Sequence, residues 1–157
     1  MKIIFLVVGK TLNSNLIELQ DEYQGRLKHY VTYETITIPE LKNTKNLSFT
    51  EQKEKEADLI LKCLDNSDDV ILLDEKGKQY TSIGFSEFIE KKSLTSLKRM
   101  VFVVGGPYGF SQRIYQRANS LISLSAMTFS HQMIRVIFLE QIYRAFTILK
   151  GEPYHHE

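Results

Sequence analysis

Hydrophobic positions in this chain fall into two patterns, short unbroken runs and spaced stripes, and the two alternate from one end to the other. Residues 2–8 form a continuous β-branched and apolar run, the pattern of a strand buried on both faces. Over residues 14–30, Leu16, Leu19, Tyr23 and Leu27 recur at spacings of three and four, which predicts a helix. Residues 33–38 alternate Tyr, Thr and Ile and stop at Pro39, a second strand. The polar segment 40–47 reads as a surface loop. Ser48 and Glu51, three residues apart, form a capping-box pattern that opens a helix to about Leu64.

The second half repeats the alternation. A short strand over residues 70–73 is closed by the turn-forming Asp74-Glu75-Lys76-Gly77, and a helix over 86–97 leads to a buried strand at 100–104. Gly105-Gly106-Pro107-Tyr108-Gly109 follows, with Ser111 as N-cap of a helix to about Asn119. A last strand spans 121–124 and a long helix 131–150. Strands separated by helices, without two-residue hairpin signals, imply crossover connections. The expectation is an α/β fold, a mostly parallel sheet flanked by helices in a single domain spanning 1–157.

The last helix is apolar nearly all round, since Ile134, Val136, Ile137, Phe138, Leu139, Ile142, Tyr143, Phe146, Ile148 and Leu149 spread over its whole circumference. Such a helix is buried on every side. Either one face meets a second copy of the chain or the helix runs through the middle of one subunit; the first is expected.

Composition narrows the class without deciding it. At 157 residues and 18.2 kDa, the folded surface should be about 8,100 Å², with roughly 69% of the unfolded surface buried. One cysteine, Cys63, excludes a disulfide framework or a Cys-rich zinc site, and a reduced, cytoplasmic protein with no membrane span is expected. The net charge is only +1, yet no Asp or Glu occurs between Glu90 and Glu140, where Lys91, Lys92, Lys98, Arg99, Arg113, Arg117 and Arg135 lie. That asymmetry fits a phosphate-facing surface, and it equally fits ordinary solvated faces.

In open α/β sheets, ligands bind beyond the carboxyl ends of strands. Three such ends carry distinctive sequence: Leu73-Asp74, the Gly105–Gly109 cluster, and Leu124-Ser125-Ala126-Met127-Thr128-Phe129. The glycine cluster lacks the G-x-G-x-x-G spacing of dinucleotide sites, and no Walker motif or nucleophile elbow occurs. Metal ligation is equally poorly supplied, because His155 and His156 have no Cys or third His near them in sequence. Methyl transfer from a sulfonium donor needs little acid–base apparatus, since much of its catalysis comes from holding two reactants in line. The residues permit it, and they permit a noncatalytic RNA- or nucleotide-binding α/β module as well.

The ordered motifs Val8-Gly9-Lys10, Leu72-Leu73-Asp74 with Gly77-Lys78, Val103-Val104-Gly105-Gly106-Pro107-Tyr108-Gly109, Leu124 through His131, Arg135-Val136, Tyr143-Arg144-Ala145 and Pro153-Tyr154-His155 carry a resemblance. Over essentially its full length the chain resembles the bacterial large-subunit ribosomal RNA pseudouridine N3-methyltransferases, minimal members of the SPOUT superfamily. The resemblance implies S-adenosylmethionine as methyl donor and a pseudouridine in a 23S rRNA hairpin as acceptor, met in the large subunit or whole ribosome. It also implies a homodimer and a C-terminal trefoil knot, a rare exception to unknotted connections. Carried over by motif, the donor-binding positions are Leu73, Gly105, Leu124, Ser125, Ala126, Met127, Thr128 and Phe129.

The same resemblance puts His131, Arg135, Arg144, Tyr154 and His155 near the substrate or at the dimer boundary. Arg144, Tyr154 and His155 are then the expected catalytic set, with His155 as the general-base candidate, and His131, Arg135 and His156 are expected to meet RNA. Read from spacing alone, Arg144 pairs with Glu140 four residues earlier, and His131 with Arg135 forms a capped helix start. Two departures from the family pattern stand out: Ser130 where a proline is common, and His156 where the tail often carries Arg or Lys. A histidine there holds phosphate less firmly as pH rises past neutrality.

Overall fold

The computed structural model describes residues 1–156. Its centre is a five-stranded sheet in the order β2-β1-β4-β3-β5 with every pairing parallel. The strands are β1 (Lys2–Val8), β2 (Thr32–Ile38), β3 (Asp69–Gln79), β4 (Arg99–Val104) and β5 (Ser120–Ser123). Helices α1 (Ser14–Leu27), α2 (Phe49–Lys62), α3 (Ser82–Ser93), α4 (Gln112–Arg117) and α5 (Met133–Leu149) supply the crossovers and the C-terminal layer.

Both faces of β1 are buried, as its unbroken run demands. Ile3, Phe5 and Val7 meet residues of α1, α3 and α5, whereas Ile4, Leu6 and Val8 meet residues of α2 and α4. Period-two alternation therefore divides one strand between two apolar layers. The first layer centres on Phe138, whose ring lies 4.5 Å from Phe5 and 4.8 Å from Phe102.

Capping chemistry set the start of α2 as expected, whereas Ser111 stands at the N-cap of α4 without a side-chain cap bond. Ser48 Oγ accepts from the Glu51 N–H at 3.1 Å, and Glu51 accepts from the Ser48 N–H at 2.8 Å, the reciprocal pair that the motif promised. Elsewhere the elements shift. α1 ends at Leu27 instead of Tyr30, because the Lys28 and His29 N–H groups close a turn onto Gln24 and Arg26 carbonyls. α3 begins a turn before residue 86: Thr81 Oγ1 accepts from the Gly84 N–H at 3.0 Å, and Ser86 is a buried interior residue.

The largest difference is β3. Asp74 to Gly77 interrupts the strand without ending it; the ladder to β5 skips from Leu73 to Lys78, both opposite Ile122. Gly77 permits this, because a Cβ there would sit 2.5 Å from the Ile122 backbone, closer than any side chain allows.

α5 lies between α1 and α3 on the sheet. Val136, Phe138, Leu139, Ile142, Ala145 and Phe146 are buried within one subunit, while Ile134, Ile137, Tyr143, Ile148 and Leu149 are half-buried. Its all-round apolarity is thus largely explained by its own neighbours, and a second copy is not required by this helix alone. Among the described residues, no helix is long and apolar enough to cross a membrane.

Candidate functional site

The bulge in β3 and the carboxyl ends of β4 and β5 open into one cavity of about 920 Å³, near the upper end for a small-molecule cleft. Leu73 lines it just before the bulge and Gly105 just after β4, and Leu124, Ser125, Met127, Thr128 and Phe129 line it from the loop after β5. Ala126 sits on the same loop without lining the cavity. His131 and Ile134, around the start of α5, complete that side.

Short local bonds shape these loops. Ser123 Oγ donates to the Ser125 carbonyl at 2.9 Å, and Ser125 Oγ accepts from the Met127 N–H at 2.9 Å. Gly109 holds φ at 79°, the left-handed turn that closes on Gly106 at 3.2 Å. The other two glycines sit against protein neighbours. A Cβ at Gly105 would meet the Phe110 ring at 3.1 Å, and one at Gly106 would strike the Glu56 carboxylate at 2.6 Å. Glu56 accepts from the Gly106 N–H at 3.0 Å, and its burial pushes the carboxyl above its ordinary range.

Polar and charged groups, among them Lys53, Glu54, Asp74, Glu75, Lys76 and His131, make up about half of the cavity lining. Asp74 accepts from the Tyr115 hydroxyl and from the Lys76 N–H, and burial with that bond keeps the Tyr115 phenol protonated. Ser111 is 3% exposed, and its hydroxyl has no hydrogen-bond partner among the described residues. Leu73, Val104, Phe129 and Ile134 share the wall with these polar groups, and that mixture with an orphaned buried hydroxyl suits a flat heterocycle with a polar edge. No cluster of three metal-ligating side chains occurs among the described residues.

The tail residues gather elsewhere. Tyr154 donates to Glu140 at 2.9 Å and lies 3.5 Å from the Tyr23 hydroxyl. Arg144 binds Glu140, stands 4.7 Å from the Tyr154 ring centroid, and reaches His155 Nδ1 at 3.2 Å. Burial and these partners raise the Tyr154 phenol, and Glu140 fixes the Arg144 charge. Tyr154 therefore holds its proton at neutral pH. From Ile134 at the cavity to Arg144 is ten residues of α5, about 15 Å of rise. The expected donor positions and the expected catalytic positions form two separate groups within one subunit.

Arg135 is turned inward rather than toward RNA. It is 1% exposed and donates to the carbonyls of Val8 and Gly9 at 2.8 Å and of His131 at 3.0 Å. It staples the end of β1 to the start of α5. Ser130, the residue that departs from the family's proline, accepts from the Met133 N–H at 3.1 Å and so fixes the same helix start. His156 is exposed.

The acid-free stretch of sequence is not acid-free in space. Arg113 binds Glu54 and Asp58, Arg99 binds Asp65 and Asp68, and Lys92 binds Asp69. Carboxylates from residues 54–69 thereby neutralise three of the seven cations that suggested a phosphate-facing surface. Sequence reasoning also missed Thr50, Lys53 and Tyr115, which line the cavity. No local signal could have placed the start of α2 there.

Comparison with known proteins agrees with this architecture. The family model described as "Predicted SPOUT methyltransferase" matches residues 1–155. A Parabacteroides distasonis protein named Ribosomal RNA large subunit methyltransferase H is 60% identical over 157 residues, covering all of both chains. Proteins of the same name from Christiangramia forsetii and Bacteroides thetaiotaomicron are 58% and 56% identical, covering 99% and 100% of both chains.

Proposed function

The chain belongs to the SPOUT methyltransferase family, and we propose that it methylates large-subunit ribosomal RNA, taking the methyl from S-adenosylmethionine and placing it on N3 of a pseudouridine. The observation that carries this reading is the cavity where the β3 bulge meets the ends of β4 and β5, with a glycine turn on one side and an uncharged loop on the other. Family membership supports the donor and the knotted threading of the C-terminal half. The close passage of Ile122 over Gly77 fits that threading.

In the reaction, the bond from N3 to the methyl carbon forms as the carbon–sulfur bond breaks, and its electron pair neutralises the sulfonium. The N3 proton leaves to a base. Leu73, Gly105 and the loop from Leu124 to Phe129 hold and orient the donor, so that proximity supplies much of the rate. His155 accepts the proton; Arg144 provides the positive charge that favours the developing anion. Tyr154, a proton donor at neutral pH, orients the base or the carboxylate.

Those groups reach the donor only if a second copy brings its tail to this cleft, and a homodimer is therefore part of the proposal. The accessible surface of 9019 Å², about a tenth above the roughly 8,100 Å² expected for a monomer of this mass, supports it. So do exposed Leu12, Ile17 and Met133. One domain acting on 23S rRNA in a bacterial cytoplasm completes the reading.

Two measurements test it. Saturating S-adenosylhomocysteine should raise the melting temperature, by about 2.7 kcal/mol of stabilisation at a hundredfold excess over Kd. Mass spectrometry of 23S rRNA from cells lacking the protein should show a methyl missing from one pseudouridine. A flat melting curve with unchanged rRNA would leave a noncatalytic module.

A further inference from the structure

Two aromatic rings stand in solvent at the mouth of the cavity. Phe49, the first residue of α2, is 62% exposed, and Tyr108 of the glycine turn is 46% exposed. Their rings stack at 4.2 Å with an interplanar angle of 20°. They come from elements 59 positions apart, so the stack is tertiary rather than local. Tyr108 covers one face of Phe49, and an exposure of 62% leaves the other face open. Large apolar rings held in parallel and left wet mark a recognition surface more than a packing accident.

The surrounding charge selects among occupants. Lys53, one turn after Phe49, and Lys76 both line the cavity. Of the nearby carboxylates, Glu51 is held in the capping box, Glu54 by Arg113, Glu56 on the Gly106 N–H and Asp74 on Tyr115, while Glu75 also lines the cavity. Lys53 has no ion-pair partner among the described residues. An open aromatic face beside an unneutralised ammonium fits a base and its phosphate.

We propose that the open face of Phe49, backed by Tyr108, stacks an unpaired base of the RNA next to the target nucleotide, with Lys53 on its phosphate. This rests on the methyltransferase reading and adds an RNA-contacting wall to the cleft. Stacking of this kind tolerates any base, so the step gives affinity and register rather than sequence choice.

The test uses full-length protein and ribosomes from cells lacking it. Phe49→Ala should raise KM for ribosomes about 10-fold, with kcat and the Kd for S-adenosylhomocysteine within about twofold. Phe49→Tyr should restore KM, because the ring face returns. Lys53→Ala should lower the slope of log KM against log salt by about one. An unchanged KM for Phe49→Ala in an active wild-type background overturns the stacking step alone. A Phe49→Ala loss that falls on donor affinity instead makes the stack a cover for the donor and also overturns it. Wild-type protein that transfers no methyl to these ribosomes overturns the activity, and this inference with it.

Discussion

The cleft and the tail cluster are built in opposite ways. The cleft is made where β4 and β5 end beside the β3 bulge, around loops whose bonds span two or three residues, as from Ser125 to Met127 or Gly106 to Gly109. The tail cluster is made of large aromatic and charged side chains joined across the whole chain: Tyr23 meets Tyr154, 131 positions on, and Tyr30 meets Glu152, 122 positions on. The cleft cannot be removed without the sheet; the tail can shift while the sheet stands. Damage to the first should register as stability, and damage to the second as lost chemistry on an intact fold.

Arg135, which joins β1 to the α5 start, gives the largest expected effect. Arg135→Ala leaves three inward-facing carbonyls without their donor and should cost about 3–5 kcal/mol in urea unfolding. Arg135→Lys should recover little, since an ammonium lacks the planar fork. A variant of normal stability with weakened ribosome binding would instead put Arg135 against RNA.

Arg144→Ala probes the other region. The rate of methyl transfer should fall on the order of 100-fold, while unfolding free energy changes by no more than about 1 kcal/mol and donor affinity stays put. Equal losses in rate and donor affinity would erase the contrast between the two regions, because tail and cleft would then be one site within a subunit.

How much of this was legible in the sequence follows the same division. Strand runs, the capping box and the three loop tips are local signals, so the sheet could be read from residues, and seven of the eight positions expected to hold the donor line the cavity, Ala126 being the exception. The inward turn of Arg135 was not readable, because its partners Val8 and Gly9 lie more than 120 positions earlier. The neutralised cations failed for the same reason: the carboxylates that meet Arg99 and Arg113 come from residues 54–68, on the other side of a crossover. The continuation of β3 past Asp74 needed the knowledge that Ile122 would lie against Gly77.

A smaller effect is expected at Tyr30, whose hydroxyl donates to Glu152 and is pushed up to about 12 chiefly by that bond. Tyr30→Phe frees one anchor of the tail. Global stability should drop by about 1 kcal/mol at most, yet amide exchange of residues 152–156 should quicken while the cleft loops keep their protection. Equal quickening in both places would mean that the two regions open together.

The smallest effect belongs to the cleft and depends on pH. The Glu56 carboxyl is raised, first by burial, against the opposing hydrogen bond from Gly106. A raised value in the folded state means that the native protein holds this proton more tightly than the unfolded chain, where it titrates near 4.5. Stability from this group therefore falls as pH climbs from that value through the folded one, and then levels off. Gln at position 56 keeps an oxygen for the Gly106 N–H without a charge to desolvate. In urea unfolding from about pH 4 to pH 8, wild type should lose stability relative to Glu56→Gln across that window and run parallel above it. A constant difference would mean that the buried carboxylate is solvated after all, and the reverse slope that the Gly106 bond outweighs burial. Because Glu56 braces the glycine turn from behind, the Kd for S-adenosylhomocysteine should drift in the same window, whereas no group of the tail cluster should move it.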